Sequence, residues 1–310
     1  MRFTRRGALV AAAAAGLAGC HPPPRPAAEG RDDGPGGRFW WKRVGSGSKT
    51  PILSLHGGPG AAHNYLHSLE ALASDRQVIF YDQLGCGLAD SPPDEKIYTV
   101  QRAVDELDAV RNALGLEKVI LYGHSWGAML AIEYLCQGRS RGVEKLILGG
   151  ALASVPQASA GQQRLIDQLP DGKGARLHEL EASGQAGTSE YQAIVDLFYK
   201  LHVCRVDPDP EAAKSFDYLA RSIAYRVMNG PNEFTISGVI KDWDRRADLG
   251  RITAPTLITT GEFDEVTLDC HETIRDGIKG SQLQVFKDAS HMTMVEKPGE
   301  YAAALRRFIA

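Results

Sequence analysis

The chain has 310 residues, of which 43% are hydrophobic and 24% are charged, a composition typical of a folded protein and not of a disordered one. The formal net charge is −3 at pH 7, and the absence of a basic block in the sequence argues against a nucleic-acid-binding protein. The length suits one large domain, or a domain that carries an insertion.

Residues 1–19 have the pattern of a signal peptide. Arg5 and Arg6 precede an apolar run over residues 8–18, which is too short to cross a bilayer as a mature helix. The arginine pair resembles a twin-arginine signal, which exports folded proteins. The Leu-Ala-Gly-Cys of residues 17–20 resembles a bacterial lipobox with lipid on Cys20, and a plain cleaved signal is the alternative. We therefore expect a periplasmic, lipid-anchored protein, and His21 favours the outer membrane by resemblance to lipoprotein sorting rules.

Residues 20–37 are rich in proline and glycine and are predicted to form a flexible, lipidated tether. After them, short apolar runs alternate with helical patterns, which is typical of a mostly parallel, doubly wound α/β sheet. Residues 154–248 interrupt this alternation, and we expect them to form a helical cap inserted into a core of residues 38–153 and 249–310. The predicted strands are 39–44, 51–56, 78–81, 119–122, 146–148, 256–259 and 283–286, and the predicted helices include 100–114, 126–136 and 298–309.

The strongest catalytic motif is Gly-His-Ser-Trp-Gly at residues 123–127. It follows a predicted strand and opens a predicted helix, the context of a nucleophile elbow. The serine of such a turn is exposed at a helix N-terminus, whose dipole favours developing negative charge. Ser125 is therefore the predicted nucleophile.

Acyl transfer by a serine also needs hydrogen-bond donors for the oxyanion. The sequence His-Gly-Gly-Pro-Gly at residues 56–60 follows another strand and offers the backbone N–H of Gly57 or Gly58. The second donor is the N–H of Trp126, the residue after the nucleophile. Gly57 is the favoured donor, and Gly58 is then expected to border the substrate.

The remaining catalytic residues follow the last two predicted strands of the sheet. Asp264 comes after residues 256–260, with Glu262 and Asp269 as competing acids, and His291 comes after residues 283–286. The resulting order, serine, acid and histidine, is that of α/β-hydrolases. We expect His291 to act as general base and Asp264 to orient it.

These motifs, together with Asp-Gln-Leu-Gly-Cys-Gly at residues 82–87, resemble those of the proline iminopeptidase (prolyl aminopeptidase) family of α/β-hydrolases. The cap sequences at residues 228–234 and 241–244 are similar to the tricorn-interacting aminopeptidase branch, and the resemblance runs from residue 39 to residue 310. It implies release of an N-terminal residue, typically proline, through an acyl-enzyme. It also implies that Glu233 and Glu265 bind the substrate's ammonium, since a buried cation needs a partner.

Several alternatives to an aminopeptidase stay open. An L-amino-acid amidase or an esterase uses the same chemistry, and fold does not fix substrate. A non-catalytic binding module is a rival from another class, whereas a dehalogenase would carry an aspartate at the elbow. We expect short peptides or amino-acid amides as partners, no nucleic acid, no membrane contact except through the lipid anchor, and no metal or other cofactor. The five cysteines form no CxxC pair, and their disulfide state is open.

Overall fold

A computed structural model describes residues 28–310; the predicted signal segment and Cys20 lie outside the described residues. The strands are β1 (Ala28–Gly34), β2 (Gly37–Val44), β3 (Lys49–Leu55), β4 (Arg76–Asp82), β5 (Val119–His124), β6 (Val143–Gly149), β7 (Thr256–Gly261) and β8 (Gln282–Phe286). The α-helices are α1 (Val100–Ala113), α2 (Trp126–Cys136), α3 (Val155–Asp167), α4 (Lys173–Ala182), α5 (Ser189–Phe198), α6 (Pro210–Leu219), α7 (Ile223–Met228), α8 (Leu268–Gly277), α9 (Thr293–Glu296) and α10 (Pro298–Ile309).

The strands form one sheet in the order β1-β2-β4-β3-β5-β6-β7-β8. Pairing is parallel from β4 through β8 and antiparallel at β1–β2 and β2–β4. Every residue of β5 and β7 is buried, as expected for central parallel strands covered on both faces. The predicted mostly parallel sheet is confirmed.

The tether predicted over residues 20–37 is wrong for residues 28–37. Residues 28–34 form β1, which pairs antiparallel with β2 in the register Ala28 to Arg43 through Gly34 to Gly37. Gly36, with φ of 91°, makes the turn that glycine allows at low cost. Trp41 donates to Asp32 at 2.7 Å and helps to hold this ribbon. The sequence prediction missed it because the ribbon is largely polar and lacks an alternating apolar pattern.

Helix α2 packs closely against the sheet at the turn that joins it to β5. All of its residues are buried, as expected for a helix covered on every side. A Cβ on Gly127 would lie 2.0 Å from the carbonyl oxygen of Leu55, and one on Gly123 would lie 2.3 Å from the carbonyl oxygen of Gly127. Glycine at both positions therefore lets the helix start directly against β3 and β5.

The chain between β6 and β7 contains α3 to α7, and none of it joins the sheet; this insertion is called the cap. A small apolar core of its own includes Leu177, Leu180, Phe198 and Phe234. The cap returns to the core through Arg245, which pairs with buried Glu133 of α2 at 2.6 Å. Phe216 and Glu233 of the cap line one cavity together with Ser125, at the carboxyl ends of the parallel strands, where α/β sheets bind ligands.

Two further observations concern the part of the chain from residue 28 onward. No helix there is long and apolar enough to cross a membrane. The cysteines there, at positions 86, 136, 204 and 270, are free thiols. Burial raises the pKa of the Cys86 thiol well above its ordinary range, which makes it a packing residue and not a reactive one.

Candidate active site

Ser125 occupies a strained turn between β5 and α2. Its backbone has φ of 55° and ψ of −121°, a region that L-residues other than glycine rarely adopt. The turn is fixed by a hydrogen bond from the Ser125 N–H to the carbonyl of Gly149, at 2.9 Å. The side chain is half-buried and lines the cavity beneath the cap.

Asp264 and His291 form a buried pair at the carboxyl edge of the sheet. Nδ1 of His291 lies 2.8 Å from Oδ1 of Asp264, so Nδ1 carries the proton and Nε2 is left to act as base. Oδ1 also accepts from the Val266 N–H, and Oδ2 accepts from the Thr260 hydroxyl. Burial opposes ionisation of Asp264, but the charge of His291 and these hydrogen bonds outweigh it and lower the carboxyl pKa.

The competing acids lie elsewhere. Glu262 accepts a hydrogen bond from the N–H of Asp288 at 3.0 Å, and Asp269 pairs with Arg164 at 3.1 Å on the surface. Of these three acids, only Asp264 forms a hydrogen bond with the imidazole of His291.

A turn of the cap holds the two catalytic loops together. The carbonyl of His202 accepts the N–H groups of both Glu265 and His291, each at 3.1 Å, and the N–H of Met292 donates to the Val203 carbonyl. Nδ1 of His202 lies 2.9 Å from the carbonyl of Phe263. These bonds lie in a π-helical turn, Tyr199–Val203, a distortion common at functional sites.

The oxyanion donors differ from the sequence prediction at Gly57. Its N–H donates to the hydroxyl of Tyr65 at 2.7 Å and is therefore already used. The N–H of Gly58 has no acceptor among the described residues, and that of Trp126 lies in the first turn of α2, where N–H groups lack intrahelical partners. This leaves Gly58 and Trp126 as the available donors beside Ser125.

Tyr65 links the loop that carries Gly57 to the loop that carries His291. Its hydroxyl lies 2.9 Å from Nδ1 of His124, whose Nε2 lies 3.0 Å from the carbonyl of His291. A carbonyl only accepts, so Nε2 of His124 carries the proton and Nδ1 accepts from Tyr65. Burial is the main cause that lowers the pKa of His124, to about 3, and His124 is neutral as this arrangement requires.

Glu233 and Glu265 meet beside Ser125. Oε1 of Glu233 accepts from the Tyr225 hydroxyl at 2.8 Å. Oε1 of Glu265 lies 3.7 Å from Nε2 of His291. Gln162 bridges them, because its amide N–H₂ reaches the Glu233 carbonyl at 3.0 Å and Oε2 of Glu265 at 3.4 Å. Burial raises the pKa of both carboxyls, that of Glu265 to about 8.

This acidic pair has no basic side-chain partner within residues 28–310 other than His291. The amide oxygen of Gln162 is also buried without a hydrogen-bond partner among those residues. Two carboxyl groups and an unused amide oxygen therefore face one space, and such a site favours a cationic guest.

The cavity has two lobes that meet at Ser125, Gly58, Glu233 and Glu265. One lobe is also lined by His291, Val203 and Phe216. The other is lined by Trp126 and not by His291. Its aliphatic wall comes from α2, the start of the cap and the loop after α7, and consists of Met129, Leu152, Val155, Ala158, Ile236 and Ile240.

Sequence reasoning missed four residues of this site: Tyr65, Gln162, His202 and Tyr225. Each lies in a 3-10 helix, a cap helix or the cap's π-helical turn, outside the motifs. Their side chains reach the site only through tertiary packing, and no local signal distinguishes them. No group of three metal-ligating side chains comes together anywhere in the described part of the chain.

Comparison with known proteins finds both a matching family model and similar sequences. Residues 50–298 match the family model of the alpha/beta hydrolase fold. The chain is 45% identical to a proline iminopeptidase of Thermoplasma volcanium, over 84% of this chain and 89% of that protein. It is 41% identical to one of Saccharolobus solfataricus, over 85% and 86%.

A solved structure agrees with these sequence comparisons. The crystal structure of the proline iminopeptidase of Mycobacterium smegmatis superposes with a TM-score of 0.86 at 36% identity, covering 91% of this chain and 97% of that one. The resemblance of the sequence motifs to the proline iminopeptidase family is thereby confirmed, and the chain belongs to this family of α/β-hydrolases.

Proposed function

We propose that this protein is a serine aminopeptidase that releases an N-terminal residue, preferably proline, from short peptides. The observation that carries the proposal is the juxtaposition of Ser125 with Glu233 and Glu265, two buried carboxyl groups that no lysine or arginine of the described chain neutralises. A free N-terminal ammonium supplies the missing positive charge. It also places the first carbonyl of the substrate at the nucleophile.

The reaction follows the serine-hydrolase pattern. Ser125 attacks the carbonyl, Nε2 of His291 takes its proton, and Asp264 orients the imidazole and stabilises its cation. The N–H groups of Gly58 and Trp126 bind the oxyanion. His291 then protonates the departing amine, and water hydrolyses the acyl-enzyme to release the free amino acid.

The two lobes take the two sides of the scissile bond. The leaving amine must receive its proton from His291, so the remainder of the peptide occupies the lobe that contains this residue. The acyl residue then occupies the lobe beside Trp126, whose aliphatic wall suits a pyrrolidine ring. The amide oxygen of Gln162 lines this lobe and offers a third acceptor to the ammonium.

The test compares prolyl arylamide, its N-acetylated form and alanyl arylamide. We expect the free-amino prolyl substrate to have the highest kcat/KM, and acetylation to lower it by at least about 100-fold, the cost of leaving buried polar groups unpaired. Equal cleavage of the acetylated substrate would contradict an aminopeptidase and point to a general amidase or esterase. A preference for alanine would retain the mechanism and remove proline as the substrate.

The assay needs a variant that separates this chemistry from background hydrolysis. Ser125→Ala should abolish turnover while leaving the thermal unfolding temperature unchanged. Ser189→Ala, at an exposed position at the start of α5, is the matched control and should keep full activity.

We also propose, from residues 1–20 alone, that the protein is exported through a twin-arginine signal and carries lipid on Cys20. The basic pair at Arg5 and Arg6 and the following apolar run support this proposal. Metabolic labelling with radioactive palmitate tests it. Label should appear in the wild-type membrane fraction and disappear in Cys20→Ser; an unlabelled wild-type protein would contradict the lipid anchor.

A further inference from the structure

The backbone fixes Glu265 and His291 side by side. Both residues donate their N–H groups to the single carbonyl of His202, so one acceptor holds the two loops together. Both side chains are almost completely buried, with only 3% and 5% of their surfaces exposed. Their closest approach joins Oε1 of Glu265 to Nε2 of His291, at 3.7 Å.

This contact involves the atom on which catalysis depends. Nδ1 of His291 is committed to Asp264, so only the Nε2 lone pair can accept the proton of Ser125. In the empty cavity that lone pair faces a carboxyl group. If the proton is on Nε2, an imidazolium lies 3.7 Å from a carboxylate and the base is occupied. If the proton is on Glu265, a neutral carboxylic acid lies at that distance, which is too long for a hydrogen bond to Nε2.

We propose that the empty site stores one proton between Glu265 and Nε2 of His291, and that the substrate's ammonium displaces it to solvent and thereby switches on the general base. This inference rests on the proposed aminopeptidase function. The exchange balances in charge, because one ammonium enters as one proton leaves. A substrate with a blocked N-terminus brings no cation, so the base stays occupied and the site discriminates in the chemical step as well as in binding.

The surrounding charges favour storage of a proton. Burial opposes a charge on His291, but the carboxyl groups of Asp264, Glu265 and Glu233 outweigh it and raise the imidazole pKa to about 9. Burial also raises the pKa of Glu265, to about 8, although His291 opposes the shift. The other titratable groups that face this pair come from β5, the cap and α8, and are His124, Tyr199, Tyr225 and His271.

The experiment counts protons released on binding. Ser125→Ala binds a prolyl dipeptide without cleaving it, and calorimetry in buffers of different ionisation heat gives the number of protons released. At about pH 7 the peptide's own amine is already protonated. We expect about one proton released per site, and a release near zero when Glu265→Gln is added to Ser125→Ala. Glu300→Gln, at an exposed position on α10, is the matched control and should keep the release.

A second measurement needs only Ser125→Ala. If binding releases a proton, then below the Glu265 pKa of about 8 the Kd of the dipeptide decreases about tenfold for each unit by which the pH rises. A pH-independent Kd, or calorimetry without proton release, would overturn the stored proton while leaving the aminopeptidase intact. Failure of Ser125→Ala to bind the dipeptide, or equal binding of its acetylated form, would instead contradict the proposed function.

Discussion

The hydroxyl of Tyr65 lies 2.9 Å from Nδ1 of His124 and accepts the N–H of Gly57 from its other side. This one oxygen joins the loop after β3 to the end of β5. His124 extends the connection to the carbonyl of His291. One buried chain of hydrogen bonds thus connects the loop after β3, the end of β5 and the loop that carries His291. Such a chain makes these segments rigid only while each of its polar groups has a hydrogen-bond partner.

Tyr65→Phe removes that oxygen and should weaken both stability and catalysis. It leaves the Gly57 N–H and Nδ1 of His124 without their partner, and a buried unsatisfied group costs about 1–3 kcal/mol. We expect the free energy of unfolding to fall by that amount and kcat to fall more than KM rises. Denaturant unfolding and steady-state kinetics measure the two effects. An unchanged kcat would show that this chain does not position the site.

The burial of Glu265 predicts a pH dependence of stability. Its folded pKa of about 8 lies above the unfolded value of about 4.3. The folded state therefore keeps a proton that the unfolded chain has lost, and the free energy of unfolding falls as pH rises through this window, by up to about 1.4 kcal/mol per unit.

Glu265→Gln isolates this contribution, because its amide does not titrate. The stability of the variant should fall less steeply than that of the wild type between about pH 4 and pH 8. Asp264, whose pKa is lowered, acts with the opposite sign only at more acidic pH and is common to both proteins. Parallel curves from denaturant unfolding at several pH values would contradict a raised Glu265 pKa.

Glu233 should act mainly on substrates with a free amino group. Glu233→Gln keeps the side-chain shape and can still accept from Tyr225, but it removes a charge that the ammonium needs. We expect kcat/KM for prolyl arylamide to fall by about 10- to 100-fold, in line with about 1.5–3 kcal/mol for a charged hydrogen bond. The N-acetylated substrate, cleaved slowly by both proteins, should show no such change. An equal loss on both substrates would assign Glu233 a structural role instead.

Much of the fold could be predicted from the sequence because its parallel strands are short, continuous apolar runs. The predicted helix 126–136 and the predicted last helix, 298–309, have the bounds of α2 and α10. Of the ribbon of β1 and β2, the sequence did not predict β1. This strand is stabilised by cross-strand bonds such as that from Trp41 to Asp32, which no local pattern encodes.

The candidate site, like the fold, could be predicted from the sequence only in part. Ser125, Asp264 and His291 each follow a strand end, so topology alone brings them to one edge of the sheet. The choice between Gly57 and Gly58 could not be made from the sequence, because it depends on the Tyr65 hydroxyl, which arrives from a separate 3-10 helix. Gln162 was equally inaccessible, since it reaches Glu265 from α3 across the cavity.

Gly150, in the loop after β6, allows a sharp test of what positions the imidazole of His291. Gly150 has φ of 52°, and a Cβ there would lie 2.6 Å from Cε1 and 2.7 Å from Nδ1 of His291. Both contacts are too close to be tolerated, so Gly150→Ala must push the ring away from Asp264 or shift the loop. A displacement near 1 Å can cost about 100-fold in rate. We expect kcat for prolyl arylamide to fall by about 10- to 100-fold.

Backbone strain alone must be separated from this displacement, and the chain offers a matched control. Gly115 has φ of 65°, but a Cβ there meets nothing within 4 Å. Gly115→Ala therefore carries the same left-handed strain, on the order of 1 kcal/mol, without touching the site. Both variants should lose stability through backbone strain, Gly150→Ala should lose more because of its crowding, and only Gly150→Ala should lose kcat. Equal kcat in the two variants would mean that the imidazole tolerates the crowding and that its position is not fixed by this loop.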